Sequence, residues 1–193
     1  FFKDENIGLI KGKKVALVTN HTGVNKELTP TAELFIKNAK DYSLVAFFSP
    51  EHGWKGMEYA AEKVLHKKEE KIPIYSLHGE TRRPTSEMLK GIDTIVYDIQ
   101  DIGIRSYTYA TTLFYVMEEA AKHKIQVIVL DRPNPINGTT VDGPMLDEKC
   151  RSFISYINVP YCHGMTIGEL AQFFNSEYNV KCQLKVIPMK GWK

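Results

Sequence analysis

The sequence predicts an α/β protein, a Rossmann-like, doubly wound and mostly parallel sheet with helices on both faces. Three observations predict it. Short apolar runs recur along nearly the whole chain, and segments with helical spacing separate them. The runs are apolar at successive positions rather than alternating, as expected of strands covered on both sides. At 193 residues the chain suffices for one generous domain, and 43% hydrophobic with 25% charged residues excludes intrinsic disorder.

The elements follow in order. Residues 14–19 read as a first strand, closed by Asn20-His21-Thr22-Gly23. A helix opens at Thr29-Pro30-Thr31-Ala32-Glu33, where a Thr or Pro start and an early acid precede Leu34, Phe35 and Ile36. Residues 43–49 are a second strand, closed by Pro50-Glu51-His52-Gly53, and residues 72–77 a third, closed by His78-Gly79-Glu80. Residues 93–99 and 125–130 give the fourth and fifth. Between them, residues 109–122 set Leu113, Val116, Met117 and Ala120 at helical spacing. Beyond Asn137-Gly138, residues 153–159 predict a strand, 166–178 a helix and 183–188 a last strand.

Charge and length exclude several functions. With 25 basic against 23 acidic residues, the chain is too balanced to bind nucleic acid or an anionic membrane by charge alone. No apolar run approaches the roughly 20 residues of a membrane helix. Three cysteines without Cys-x-x-Cys spacing exclude a disulfide framework and a zinc ribbon, and predict buried or half-buried thiols. The glycine loops that cradle dinucleotides or triphosphates are missing, as is the nucleophile elbow of serine hydrolases. No cofactor is predicted. Spacing does not demand a metal either, although His52, His78 and His163 are potential ligands.

In an open parallel sheet, ligands bind beyond the carboxyl ends of the strands. The unusual polar residues fall there: Asn20 and Thr22 after the first strand, Glu51 and His52 after the second, His78 after the third. Asp98, Gln100 and Asp101 follow the fourth, and Asp131, Arg132 and Asn134 the fifth. Glu51 stands out. A carboxyl at the end of a buried strand is partly desolvated, which raises its pKa and suits it to donate a proton, or it simply caps the following segment. Arg105 can grip a carboxylate bidentately or pair internally with an aspartate; Tyr107 and Tyr109 offer the flat faces and hydroxyls common in sugar sites. Two prolines stiffen the loop that presents Arg132 and Asn134. Thr166 and Glu169 read as a capping box, with His163 just ahead of it.

The strings Asn20-His21-Thr22-Gly23, Ser49-Pro50-Glu51-His52-Gly53, Tyr75-Ser76-Leu77-His78-Gly79, Arg83-Pro84-Thr85, Asp98-Ile99-Gln100-Asp101, Tyr107-Thr108-Tyr109, Leu130-Asp131-Arg132-Pro133-Asn134-Pro135 and His163-Gly164-Met165-Thr166 occur in order, with Pro188-Met189-Lys190-Gly191-Trp192 at the end. Together they resemble the NamZ-type exo-β-N-acetylmuramidases, glycoside hydrolases of peptidoglycan. The resemblance implies removal of terminal N-acetylmuramic acid from the non-reducing end of cell-wall fragments, in a secreted or periplasmic protein. It implies a Rossmann-like catalytic domain over residues 1–188. Residues 189–193 then begin the connection to a smaller α/β domain that is absent from this chain and closes the cleft. Glu51 corresponds to the family's favoured catalytic carboxyl.

Glycoside cleavage needs an acid and, commonly, a second carboxylate. Glu51, beside His52, is the acid, and Asp98 or Asp101 the candidate second group, unless a substrate acetamido group or the further domain replaces it. Asn20, Thr22, His78, Gln100, Arg105, Tyr107, Tyr109, Arg132, Asn134 and His163 are the candidate substrate contacts. Muramic acid differs from glucosamine by a lactyl carboxylate, which Arg105 or Arg132 is placed to read. A non-catalytic glycan-binding module and a sugar-nucleotide-binding domain remain alternatives.

Overall fold

A computed structural model of the chain describes residues 1–2, 4–57, 67–69 and 72–192. Its described strands are β1 (Lys14–Thr19), β2 (Ser43–Ser49), β3 (Lys67–Glu69), β4 (Ile72–Ser76), β5 (Thr94–Asp98), β6 (Gln126–Leu130) and β7 (Gln183–Ile187). They form one sheet in the order β3-β4-β2-β1-β5-β6-β7. Pairing is parallel from β4 to β7, and β3 closes one edge antiparallel to β4. The described helices are α1 (Asp4–Ile7), α2 (Thr31–Lys37), α3 (Ser86–Leu89), α4 (Thr108–Lys122) and α5 (Ile167–Glu177).

The central strands are apolar because both their faces are covered. Ala16, Val18, Ile95, Tyr97, Val127 and Val129 face α4 and α5, where they meet Leu113, Phe114, Met117, Leu170 and Phe174. Val15, Leu17, Phe47, Val96 and Ile128 face the other way, against Ala32 and Phe35 of α2. Cys182 is buried with its thiol pushed up to about 12 by that burial, whereas Cys150 is exposed on a single 3-10 turn.

Residues 153–159 correct one expectation. They form no strand but a bent segment turned by reciprocal backbone bonds between Ser152 and Ser155. Its apolar residues pack on helices rather than pairing in the sheet. Ile157 and Val159 join the α4/α5 core, and the Tyr156 ring packs edge-on against Tyr115, 4.9 Å away. A short run with apolar residues at irregular spacing satisfies strand propensity equally well when laid over helices. The sequence did not predict β3 and α3, each too short to produce a period.

The chain leaves β1 for β2 through α2 on one face, and leaves β5 for β6 through α4 on the other. The crevice between the carboxyl ends of β1 and β5 is therefore the switch point where ligands of such sheets bind. Gly23 lets the loop after β1 close down there, since a Cβ would meet Thr19 Oγ1 at 2.2 Å and the Asp98 carbonyl at 2.7 Å.

Candidate active site

Glu51 begins a series of tight turns after β2, in which the Gly53 amide bonds back to the Pro50 carbonyl. His52 holds the left-handed conformation at φ 66°, followed by Gly53 at φ 73°. Such a conformation costs a residue with a side chain about 1 kcal/mol or more and recurs at functional sites. The turn directs Glu51 inward, leaving it only 8% exposed. Thr108, the first residue of α4, donates its hydroxyl to Glu51 Oε2 at 2.7 Å, and His78 Nε2 lies 3.5 Å from Oε1.

The other neighbours of Glu51 are set by the starts of α4 and the loop after β1. The Tyr107 and Tyr109 rings meet edge to face at 4.6 Å. Burial raises both phenols above their ordinary pKa, and the Glu51 charge raises them further. Both therefore remain neutral hydrogen-bonding groups. Asn20 borders the Tyr109 hydroxyl. Burial lowers the pKa of His78, and the charges of Arg82 and His52 add to that effect while Glu51 opposes it. His78 is thus a neutral imidazole at pH 7, and like Tyr107 and Tyr109 it meets Glu51 as an uncharged group.

The two aspartates separate. Asp98 shares the strand face of Val96, toward α2, and is 2% exposed. Its carboxylate accepts from Arg132 Nε at 2.6 Å, Arg132 Nη2 at 2.9 Å and Thr31 Oγ1 at 2.5 Å. Asp101 lies on the other side. Its field and that of Glu51 both act on Tyr107. Burial raises the Asp101 pKa to about 6 against the pull of the Gly103 and Ile102 amides, and His163 Nε2 sits 3.7 Å from Oδ2. His163 accepts the Met165 amide at Nδ1, which places its proton on Nε2, and burial lowers its pKa.

Several remaining predicted contacts hold loops together. Thr22 Oγ1 bridges Asn20 Oδ1 and the Gln100 amide, while Gln100 Nε2 donates to the Asp101 and Pro133 carbonyls. Asn134 ties the Ile136 amide to the Met165 carbonyl. Arg132 also donates to the Val24 carbonyl. Arg105 pairs with no aspartate among the described residues; its Nη1 donates to the Pro144 and Val159 carbonyls. Thr166 and Glu169 form the predicted capping box, and Asp131 extends it by accepting from Thr166 Oγ1 and the Gly168 amide.

Sequence reasoning passed over Thr108, although it lies inside the Tyr107-Thr108-Tyr109 string, and also Phe153 and Arg82. Phe153 packs 5.6 Å from the His78 ring, with the Arg82 guanidinium 4.3 Å above its face. The signal available was a pair of arginines soon after the strand-end His78-Gly79. Among the described residues no group of three or more His, Cys, Asp or Glu is placed to hold a metal ion, and no helix is long and apolar enough to cross a membrane.

Comparison with known proteins agrees with this fold. The chain is 45% identical over 186 residues to the peptidoglycan β-N-acetylmuramidase NamZ of Bacillus subtilis strain 168, covering 95% of this chain and 45% of that protein. Two solved DUF1343 family proteins of Bacteroides fragilis NCTC 9343 superimpose with TM-scores of 0.89 and 0.82 at 45% and 35% identity. Each match covers 98% of this chain, and 48% and 50% of the respective structures. The chain thus spans about half the length of the relatives it matches. The model of the family described as exo-β-N-acetylmuramidase NamZ, N-terminal, matches residues 15–193, and the chain belongs to that family.

Proposed function

We propose that the protein is an exo-β-N-acetylmuramidase that releases terminal N-acetylmuramic acid from the non-reducing end of peptidoglycan fragments, with Glu51 as the proton donor. The observation that carries this reading is the setting of Glu51. It is a buried carboxyl at a strand end, held by Thr108 on one oxygen and facing a neutral imidazole on the other. A carboxyl sheltered from water beside neutral hydrogen-bonding groups is the environment in which general acids of glycoside cleavage work. The family membership and the muramidase name of the Bacillus relative support the same substrate.

Asp101 is the second carboxylate in this reading, in preference to Asp98, whose oxygens are engaged by Arg132 and Thr31. As an anion, Asp101 stabilises the cation-like sugar at the transition state; a substrate acetamido group is the alternative source of that stabilisation. Arg132 and Arg105 keep their structural partners and take no part in sugar recognition. A second α/β domain of the protein closes the cleft over the sheet crest, and the protein works outside the cytoplasm, where its polymeric substrate is. The test is release of a chromogenic leaving group from a β-N-acetylmuramide by the full-length protein. Glu51→Gln is expected to lower kcat by about 100-fold or more while leaving binding intact. Binding without hydrolysis in the wild type, or full activity in Glu51→Gln, refutes the proposal.

A further inference from the structure

We infer that Arg82 is the residue that selects muramic acid over glucosamine, by binding the lactyl carboxylate of the terminal sugar. This role rests on the muramidase reading above and assigns a specificity residue to the same site. The loop after β4 presents Arg82 from an anchored backbone. Thr81 Oγ1 accepts the Arg83 amide at 3.0 Å and donates to the Arg83 carbonyl at 2.8 Å. Arg83 itself is fastened by Glu118, Glu119 and Tyr156, with its guanidinium 3.7 Å from the centre of the Tyr115 ring. Pro84 is buried, and Thr85 caps α3 by accepting the Met88 amide.

Arg82 differs from its neighbour. It is exposed, and among the described residues it has no carboxylate partner. Its guanidinium instead lies over the Phe153 face. Phe153 also packs against the His78 ring, and His78 reaches Glu51. One aromatic ring therefore separates a solvent-accessible guanidinium from the imidazole beside the proton donor. The charge is close enough to depress the His78 pKa.

A cation over a ring face is held through its charge and leaves its N–H fork for an anion. Muramic acid carries such an anion on the same ring whose glycosidic oxygen Glu51 would protonate. Glucosamine presents a hydroxyl there and gains nothing from a bidentate donor. Arg132 is committed to Asp98, and Arg105 Nη1 to the Pro144 and Val159 carbonyls.

The test crosses enzyme and substrate variants in the full-length protein. Chromogenic β-N-acetylmuramide, its lactyl amide and β-N-acetylglucosaminide are compared for wild type, Arg82→Gln and Arg82→Lys by kcat/KM. The wild type is expected to prefer the free acid over the amide. Arg82→Gln is expected to lose about 10- to 100-fold on the acid, and little on the amide or glucosaminide, so that the preference collapses. Arg82→Lys is expected to recover part of it. An equal loss on acid and amide, or an unchanged preference, overturns the role of Arg82 while leaving the muramidase reading standing. A wild type that cleaves neither muramide removes both.

Discussion

Replacing Arg132 by Met removes two of the three donors that Asp98 accepts, and separates a structural role from a catalytic one. The Asp98 carboxylate is 2% exposed, and only the Thr31 hydroxyl would remain on it. Removing one partner of a buried ion pair costs about 3–5 kcal/mol, because the other charge is left without compensation. The Arg132 side chain is 17% exposed, so water reaches part of the site and the low end, about 3 kcal/mol, is expected. Asp98→Asn keeps the shape but loses the charge, for a cost of about 2 kcal/mol. The double variant removes both charges and is expected to recover about 2 kcal/mol relative to the sum of the single ones. Urea unfolding of all four proteins, read by circular dichroism, measures that cycle. A coupling below about 0.5 kcal/mol refutes the structural reading of the pair. So does an Asp98→Asn protein of undiminished stability that no longer cleaves the muramide, since Asp98 would then belong to the chemistry.

The folded Asp101 holds a proton up to about pH 6 that the unfolded chain releases from 3.8 upward, so its contribution makes stability fall as pH rises across that window and stay lower above it. Asp101→Asn is expected to abolish that fall, which amounts to about 1–3 kcal/mol between pH 4 and pH 7, and urea melts across this range check the difference between the two proteins. Thr108→Val keeps the helix start but removes the donor on Glu51 Oε2; a kcat loss of about tenfold is expected with KM and unfolding midpoint nearly unchanged, whereas a change confined to KM would count against Thr108 as the residue that positions Glu51.

The central strands were legible because they are buried on both faces, which leaves continuous apolar runs of distinctive length. The predicted helix at 166–178 was legible from its cap, since Thr166 and Glu169 satisfy each other's backbone donors as their spacing requires. Residues 153–159 were misread because burial there comes from rings stacked over α4, and no period separates that from a strand. The edge strand β3 was invisible for the opposite reason, since Lys67-Lys68-Glu69 carries no apolar residue. An edge position tolerates such a composition and discourages pairing with further strands.

The candidate site was legible as a set of loops but not as a set of roles, and side-chain direction explains the difference. Asp98 and Asp101 look equivalent in sequence, three residues apart at one strand end. Asp98 is still within β5, where alternation assigns it to the face of Val96 and so to Thr31 of α2. Asp101 is beyond the strand, free of that alternation, and comes to rest near Tyr107 and His163. Had β5 been amphipathic, its pattern would have revealed the parity; being apolar on both faces, it concealed it. The same logic distributes the arginines. Arg132 lies two residues beyond β6 and is drawn to the sheet end by Asp98, while Arg82 stands well past β4 with its guanidinium over the Phe153 ring. Seven buried side-chain polar atoms lack a hydrogen-bond partner among the described residues: Asn20 Nδ2, Ser49 Oγ, His78 Nδ1, Thr94 Oγ1, Asp101 Oδ1, Arg105 Nε and His163 Nε2; four of them belong to residues around Glu51, Tyr109 or Asp101, and none to the Asp98–Arg132 pair. Unmet hydrogen-bonding capacity is costly in a folded protein and is kept where function requires it. In the proposed reading the chemistry lies on the Glu51 side of the crest, while the Asp98–Arg132 pair holds the sheet ends together.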